Sequence, residues 1–321
     1  LVNASRNEII FTSGATESNN IAILGLKEFG LNNNKKHIIT SAIEHKAVLE
    51  PIQELEKLGF EVDIINVDQS GRVNPKDIKD KIREDTLLIS IMGVNNETGV
   101  IQPISEIIEI IQDHDCYFHV DAAQMFGKDI DTLSNKRIDL ISISGHKIFG
   151  PKGIGALVTR LRNFNKPPLQ PLFFGGGQQA KLRPGTLPVH LIVGLGVAAK
   201  IAKKNLKKRQ EQNKKIYDQI IKLMKSLNGN LNGDEKYLLG NCINFSIPTV
   251  DAEAFMLTTK DLISISNGSA CTSSSYEPSH VIKAMNNNEN IIKGAVRISW
   301  CHLTENKIPV EEIKERLQNI M

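Results

Sequence analysis

Short runs of uncharged apolar residues alternate with amphipathic stretches along the first half of this chain, and that alternation restricts its fold most. Residues 8–11, 37–40, 61–67, 87–92, 117–120, 139–144 and 155–159 read as strands. Residues 18–29, 46–58, 75–83 and 104–113 carry a helical period between them, the third with Pro75 in its first turn. Strands that are apolar on both sides need cover on both sides. A mostly parallel sheet between layers of helices is therefore expected, an α/β architecture. Ligands in such folds sit at the carboxyl ends of the strands. The polar motifs of this chain fall at those ends, after Phe11, Met92, Val120 and Ser144.

The second half has a different texture. One long helix is expected over residues 191–227, with a basic stretch at 203–215 that reads as a solvated face. After the turn Asn228-Gly229-Asn230 come shorter elements: strands at 241–247 and 262–266, helices at 279–285 and 310–321. The expected division is a large domain over residues 1–200, and a linking helix with a smaller α+β domain over 201–321. Composition narrows the functional classes. The net charge of +3 is too weak to argue for nucleic acid. The longest uncharged apolar stretch, residues 187–199, is too short to span a bilayer. Cys116, Cys242, Cys271 and Cys301 form no CxxC pair, which disfavours a disulfide framework or metal knuckle and fits a reducing, cytoplasmic setting. A chain that begins at Leu1 reads as a fragment or a processed product.

The segment Ser142-Ile143-Ser144-Gly145-His146-Lys147 places a lysine just past a strand. Asp121 ends another strand, in His119-Val120-Asp121-Ala122-Ala123-Gln124. Singly, each is ordinary: strand-end lysines are usually exposed and strand-end aspartates usually cap. Together they meet the needs of pyridoxal phosphate, which requires a lysine for its aldehyde and a carboxylate for its pyridine nitrogen. The turn Ser13-Gly14-Ala15-Thr16 opens a helix, whose free N–H groups suit a phosphate, and Ser144 and His146 can add contacts. His45, in Glu44-His45-Lys46, can stack on a ring and shuttle a proton. Asn96, in Asn95-Asn96-Glu97-Thr98-Gly99, can bind a substrate carboxylate or a ring oxygen, and the same residues also suit a plain turn. Finally, Cys271 stands in a Gly/Ser-rich stretch with little apolar company, a candidate nucleophile. An unperturbed thiol is only about 3% thiolate at pH 7, so a working site must lower its pKa or supply a base.

In order along the chain, the Ser-Gly-Ala-Thr-Glu, Glu-His-Lys, Asn-Asn-Glu-Thr-Gly, Asp-Ala-Ala-Gln, Ser-Gly-His-Lys, Arg-x-Gly-Thr and Gly-Ser-Ala-Cys-Thr-Ser segments resemble those of cysteine desulfurases. These are fold-type I, pyridoxal-phosphate enzymes of the class V aminotransferase group. The Ser-Ala-Cys-Thr form resembles the group I (IscS/NifS-like) branch. The resemblance implies conversion of L-cysteine to L-alanine with a persulfide left on Cys271. It implies that Lys147 is the Schiff-base lysine, that Asp121 pairs with the pyridinium, that Gln124 bonds the ring hydroxyl and that His45 stacks on the ring. Ala15, Thr16, Ser144 and His146 would hold the phosphate. Asn96 and Arg297 would bind the substrate carboxylate. Thr186 would reach the phosphate of a second subunit, implying a homodimer. A sulfur-acceptor protein is implied as partner, for iron–sulfur assembly, tRNA thiolation or DNA phosphorothioation.

There are departures from the family pattern. The opening Asp-x-x-Ala-Thr-Thr pattern is absent, Gln179-Ala180-Lys181 stands where many members have Glu-Arg-Gly, and Trp300-Cys301-His302 replaces Leu-Gly-Arg. The long tail that docks iron–sulfur scaffolds in some members does not follow before Met321. These features are compatible with a specialised branch resembling DndA. A selenocysteine lyase-like activity, or a sulfur-relay subunit with little turnover, are the alternative readings.

Overall fold

The computed structural model describes residues 1–268, 278–286, 288–305 and 307–321. The chain divides into two compact units. The first comprises Leu1–Ile65, Asn74–Val94 and Gln102–Lys204. Its elements are β1 (Ile9–Thr12), α1 (Ala15–Leu24), α2 (Lys27–Asn32), β2 (His37–Ser41), α3 (Lys46–Lys57), β3 (Glu61–Ile65), α4 (Pro75–Lys81), β4 (Thr86–Ser90), α5 (Ile104–Ile110), β5 (Tyr117–Asp121), β6 (Leu140–Ser144), β7 (Gly155–Thr159) and α6 (Val189–Lys204).

The seven strands form one sheet in the order β1-β7-β6-β5-β4-β2-β3. Strands β3, β2, β4, β5 and β6 pair parallel, and β7 is antiparallel to both its neighbours. Every residue of β2, β4, β6 and β7 is buried, as continuous apolar runs require when both faces are covered. Ile21 and Ala22 of α1 and Val48, Ile52 and Leu55 of α3 share a core with Ile38, Leu88, Leu140 and Leu157 of the sheet.

Gly155 marks a close approach that positions the site. A Cβ there would lie 2.3 Å from the Ile143 carbonyl and 2.6 Å from Gly14 Cα. Only glycine lets the start of β7 lie against the turn before α1.

The helix expected over residues 18–29 starts earlier and is two helices. Gly14 caps α1, and Gly25 ends it. The Gly25 carbonyl accepts from Gln170 N at 2.8 Å, and a side chain at Gly25 would meet Gln170 and Leu169. A remote chain segment thus docks where the sequence shows only a continuing period.

The second unit comprises Asn66–Val73, Asn95–Ile101 and Asn205–Met321. Its elements are α7 (Leu206–Ser226), β8 (Asn230–Leu231), β9 (Cys242–Ser246), α8 (Ala252–Thr259), α9 (His280–Met285), α10 (Glu289–Lys293), β10 (Ala295–Ser299) and α11 (Val310–Gln318). Among the described residues β10, β9 and β8 form an antiparallel sheet in that order. Ile216, Ile220 and Leu223, spaced along one face of α7, pack with Ile243 and Phe245 of β9, Val296 of β10 and Ile313 and Leu317 of α11.

Two expectations for this half are corrected. The long helix over residues 191–227 is interrupted at Asn205, whose φ of −107° and ψ of 12° leave the helical region. Each side has its own core: Leu195, Ala198 and Ala202 are buried in the first unit, and the apolar face of α7 in the second. No strand forms over residues 262–266. Leu262 N and Ile263 N turn back to the Thr259 carbonyl, and only Ser266 bridges to Arg297. The lysines of the basic stretch, Lys203, Lys204, Lys207, Lys208, Lys214 and Lys215, are exposed, as a solvated face requires.

Candidate active site

The candidate residues fall into two groups, one in each unit. In the first unit the register of β5 and β6 sets Asp121 beside Ser142. Asp121 is 6% exposed. Its Oδ2 accepts from Asn19 Nδ2 at 2.8 Å and its Oδ1 from Ala123 N at 2.9 Å. Two donors on separate oxygens fix the plane of the carboxylate. Just past β6, the turn Gly145–Ile148 carries Lys147, half-buried. The lysine and the aspartate therefore stand at the carboxyl ends of hydrogen-bonded neighbours.

The N-terminus of α1 completes this end of the sheet. Gly14 supplies no side-chain cap. No described residue accepts from the N–H groups of Ala15 or Thr16. Ser144 Oγ lies 3.9 Å from where a Cβ on Gly14 would stand, so the serine faces this turn. Ser144 Oγ also meets His146 Nδ1 at 2.9 Å. Burial, with the charges of Lys147 and Lys152, pushes the His146 pKa below its ordinary value. Glu17 ties the turn down, accepting from Ser13 N at 2.6 Å and from Arg183 Nε at 2.9 Å. Open helix N–H groups, two hydroxyl-bearing side chains and a helix dipole make an anion site. With the lysine and buried aspartate alongside, this donor set fits pyridoxal phosphate.

Other residues occupy places with definite consequences. His45 caps α3, its Nδ1 accepting from Ala47 N at 3.0 Å. That bond places the ring proton on Nε2. Gln124 Oε1 accepts from Lys128 Nζ at 3.3 Å, which leaves the amide NH2 to donate. Thr186 is exposed.

Sequence reasoning missed two residues here. Asn19 orients Asp121 across 102 positions, and its Oδ1 is buried without a partner. Glu44 is fully buried. Its Oε1 accepts from Ser41 Oγ at 2.5 Å and from Met92 N at 2.9 Å, joining the ends of β2 and β4. Burial pushes its pKa up to about 8, and the Asp121 charge pushes the same way. Burial thus favours the neutral form of Glu44, next in sequence to His45. The only signal in the sequence was the place of Glu44 in the Glu-His-Lys segment; Asn19 gave none.

In the second unit, Asn95 Oδ1 accepts from Glu97 N at 2.8 Å and Thr98 N at 2.9 Å, closing a tight turn. Gly99 has φ +77°, and a Cβ on it would lie 2.3 Å from the Cys242 carbonyl. Asparagine and glycine therefore shape this loop, and Asn96 is carried at its half-buried edge. Arg297 Nη1 donates to the Asn96 carbonyl at 3.3 Å. Its Nε is buried with no hydrogen-bond partner among the described residues, and no described carboxylate pairs with it. A guanidinium with an unused donor suits a substrate carboxylate. Cys271 lies outside the described residues. Cys116 and Cys242 are buried and Cys301 is partly so, all as free thiols.

Comparison with known proteins bears on both groups. The chain matches the family described as aminotransferase class-V over residues 1–310. The mitochondrial cysteine desulfurase of Saccharomyces cerevisiae is 45% identical over 298 residues, 92% of this chain and 59% of that protein. The cysteine desulfurase IscS of Neisseria meningitidis serogroup C is 42% identical over 321 residues, 99% of this chain and 78% of that protein. Thus the chain spans well under two thirds of the yeast relative and over three quarters of the bacterial one. Among solved structures, DndA from Streptomyces lividans superposes with a TM-score of 0.86 at 47% identity, covering 94% of this chain and 84% of that one. SspA in complex with cysteine gives 0.80 at 39% identity, covering 93% and 82%. With its lysine, buried aspartate and open helix turn at one end of the sheet, the chain belongs to the class-V aminotransferase family, on the fold-type I architecture of pyridoxal-phosphate enzymes.

Proposed function

We propose that this chain is a pyridoxal-phosphate-dependent cysteine desulfurase, converting L-cysteine to L-alanine and leaving a persulfide on Cys271. The observation that carries the reading is Asp121, fixed by Asn19 and Ala123 on the strand next to the one that leads to Lys147. When bound, pyridoxal phosphate supplies an electron sink for negative charge at the substrate Cα.

The chain's residues supply the rest. Ala15 and Thr16 N–H groups, Ser144 Oγ and His146 hold the phosphate. Asp121 keeps the pyridine nitrogen protonated, Gln124 donates to the ring hydroxyl, and His45 stacks on the ring. Lys147 Nζ anchors the cofactor covalently. Its amine would also take the proton from the substrate Cα. Arg297 and Asn96 hold the substrate carboxylate. The Cys271 thiolate attacks the substrate sulfur and forms the S–S bond. The substrate Cβ–S bond breaks with its electron pair kept on carbon, which is then protonated to give alanine. Incubation with L-cysteine, cofactor and a reductant should release alanine, while a chain that binds the cofactor and releases none does something else.

The reading includes a homodimer. Val189, Val193, Val197 and Ile201 of α6 are 64%, 59%, 51% and 43% exposed, spaced at four residues along one face. The opposite face buries Leu195, Ala198 and Ala202. A second copy is the occupant that suits a stripe close to exposed Thr186. Val193→Asp with Val197→Asp should therefore halve the mass seen by analytical ultracentrifugation. A parent already monomeric at micromolar concentration would contradict the dimer. The free thiols of Cys116, Cys242 and Cys301 suit a reducing compartment such as the cytoplasm. An acceptor protein takes the persulfide sulfur; transfer assays with an iron–sulfur scaffold, a tRNA-thiolation protein and a DNA-phosphorothioation protein distinguish its class.

A further inference from the structure

We infer that Glu97 is a positioning residue that holds Ser279, just past the Cys271-bearing segment, to the loop of Asn96, with Gly268 at the segment's other end lying close to the same carboxylate. The inference rests on the desulfurase reading for its catalytic consequence, and on described residues of the second unit for its geometry.

Glu97 is 2% exposed, an expensive place for a carboxylate unless it is hydrogen-bonded. Its Oε2 accepts from Ser279 Oγ at 2.5 Å. Ser279 Oγ in turn accepts from Val281 N at 3.1 Å and Ile282 N at 3.2 Å, capping α9. On the other side stands Gly268. A Cβ there would lie 3.2 Å from the same Glu97 Oε2 and 3.4 Å from Ser279 Cβ. The chain thus leaves at Gly268 and is described again from Pro278, with residues 268 and 279 side by side across one carboxylate.

The contacts then run back to the substrate-binding candidates. Ser266 Oγ donates to the Gly268 carbonyl at 3.0 Å. Ser266 and Arg297 exchange two backbone hydrogen bonds, at 3.3 and 2.6 Å. Arg297 Nη1 reaches the Asn96 carbonyl, one residue before Glu97. Glu97 itself is held by Asn95 Oδ1, and its carbonyl accepts from Cys242 Sγ at 3.6 Å. Bonds therefore run from Ser279 through Glu97 and Asn96 to Arg297, Ser266 and Gly268, and Gly268 lies beside the Glu97 carboxylate where the run began. Glu97 is the member that bonds Ser279 and lies close to Gly268. A nucleophile must be placed to within about 1 Å of its target, so the ends of its segment need a fixed frame.

The test compares Glu97→Ala, Glu97→Gln and Ser279→Ala in the holoenzyme. Glu97→Ala should slow alanine release from L-cysteine by roughly tenfold or more. Deuterium exchange at the Cα of L-alanine needs Lys147 but no thiol, and should stay within about threefold of the parent. Glu97→Gln keeps the acceptor and should recover most of the loss. Ser279→Ala should act in the same direction, and adding it to Glu97→Ala should cost little more, because the two share one bond. Amide hydrogen exchange of peptides ending at Gly268 and starting at Ser279 should be faster in Glu97→Ala, with or without cofactor. Unchanged desulfuration and amide exchange in Glu97→Ala, equal loss of L-alanine exchange, or no recovery in Glu97→Gln would each overturn the inference. An inactive parent would instead overturn the desulfurase reading, and amide exchange alone would then decide whether Glu97 is the anchor.

Discussion

Asp121→Asn is expected to fold normally and to release alanine from L-cysteine about a thousandfold more slowly, or less. The substitution keeps the size of the side chain and an oxygen for the Asn19 amide or Ala123 N–H. What it removes is the negative charge that holds the pyridine nitrogen protonated. An electron sink without that proton stabilises carbanion character far less, so the Cα proton transfer to Lys147 slows most. The expected signature is a large fall in kcat with a small change in KM, and Cα deuterium exchange of L-alanine that falls in parallel. Loss confined to cofactor affinity, restored by excess cofactor, would show that Asp121 only helps to hold the ring.

The second large effect concerns stability. Glu44 carries a pKa pushed from its ordinary 4.5 to about 8 by burial, with Asp121 adding to the shift. Below pH 4.5 both folded and unfolded chains hold the proton, and the group contributes its full share of stability. As the pH rises from there to about 8 the unfolded chain loses its proton while the folded chain keeps it. Folding then loses about 1.4 kcal/mol per pH unit, a total of about 5 kcal/mol. Above pH 8 the folded chain ionises too, and the loss stops growing. Glu44→Gln removes this titration and keeps an acceptor for Ser41 and Met92. Denaturant unfolding of the apoprotein should therefore favour the variant over the parent more at pH 8.5 than at pH 5, by roughly 3–4 kcal/mol. An equal difference at both pH values would contradict a neutral Glu44. Asp121→Asn should pull the Glu44 transition to lower pH, because one source of its shift is gone.

These two residues also show what the sequence discloses and what it hides. Asp121 was legible because it ends a continuous apolar strand, where α/β folds place ligands, and because a lysine follows the next such strand. Glu44 and Asn19 were not, since their importance comes from partners brought near only by folding: Met92 N for one, Asp121 for the other. The strands of the large sheet were read nearly to the residue, because burial on both faces leaves a local apolar signature. The break at Asn205 left none. No proline or glycine marks it, and the helical period runs through it; only the two separate cores disclose it. Residues 262–266 misled for the converse reason, an apolar run whose backbone turns back on Thr259. Residues 66 and 67 read as the end of a strand, and residues 68–73 and 95–101 as connections, yet all belong to the second unit, 95–101 through bonds such as Ile101 N to the Tyr237 carbonyl.

The central claim is that Cys271 is the sulfur-accepting nucleophile of a desulfurase. The most direct measurement is alanine release from L-cysteine by the cofactor-loaded parent and by Cys271→Ala, with L-alanine Cα exchange followed in both. The account predicts rapid release from the parent, almost none from the variant, and similar exchange in the two. Equal alanine release from both proteins would contradict it, because the sulfur would then leave without Cys271.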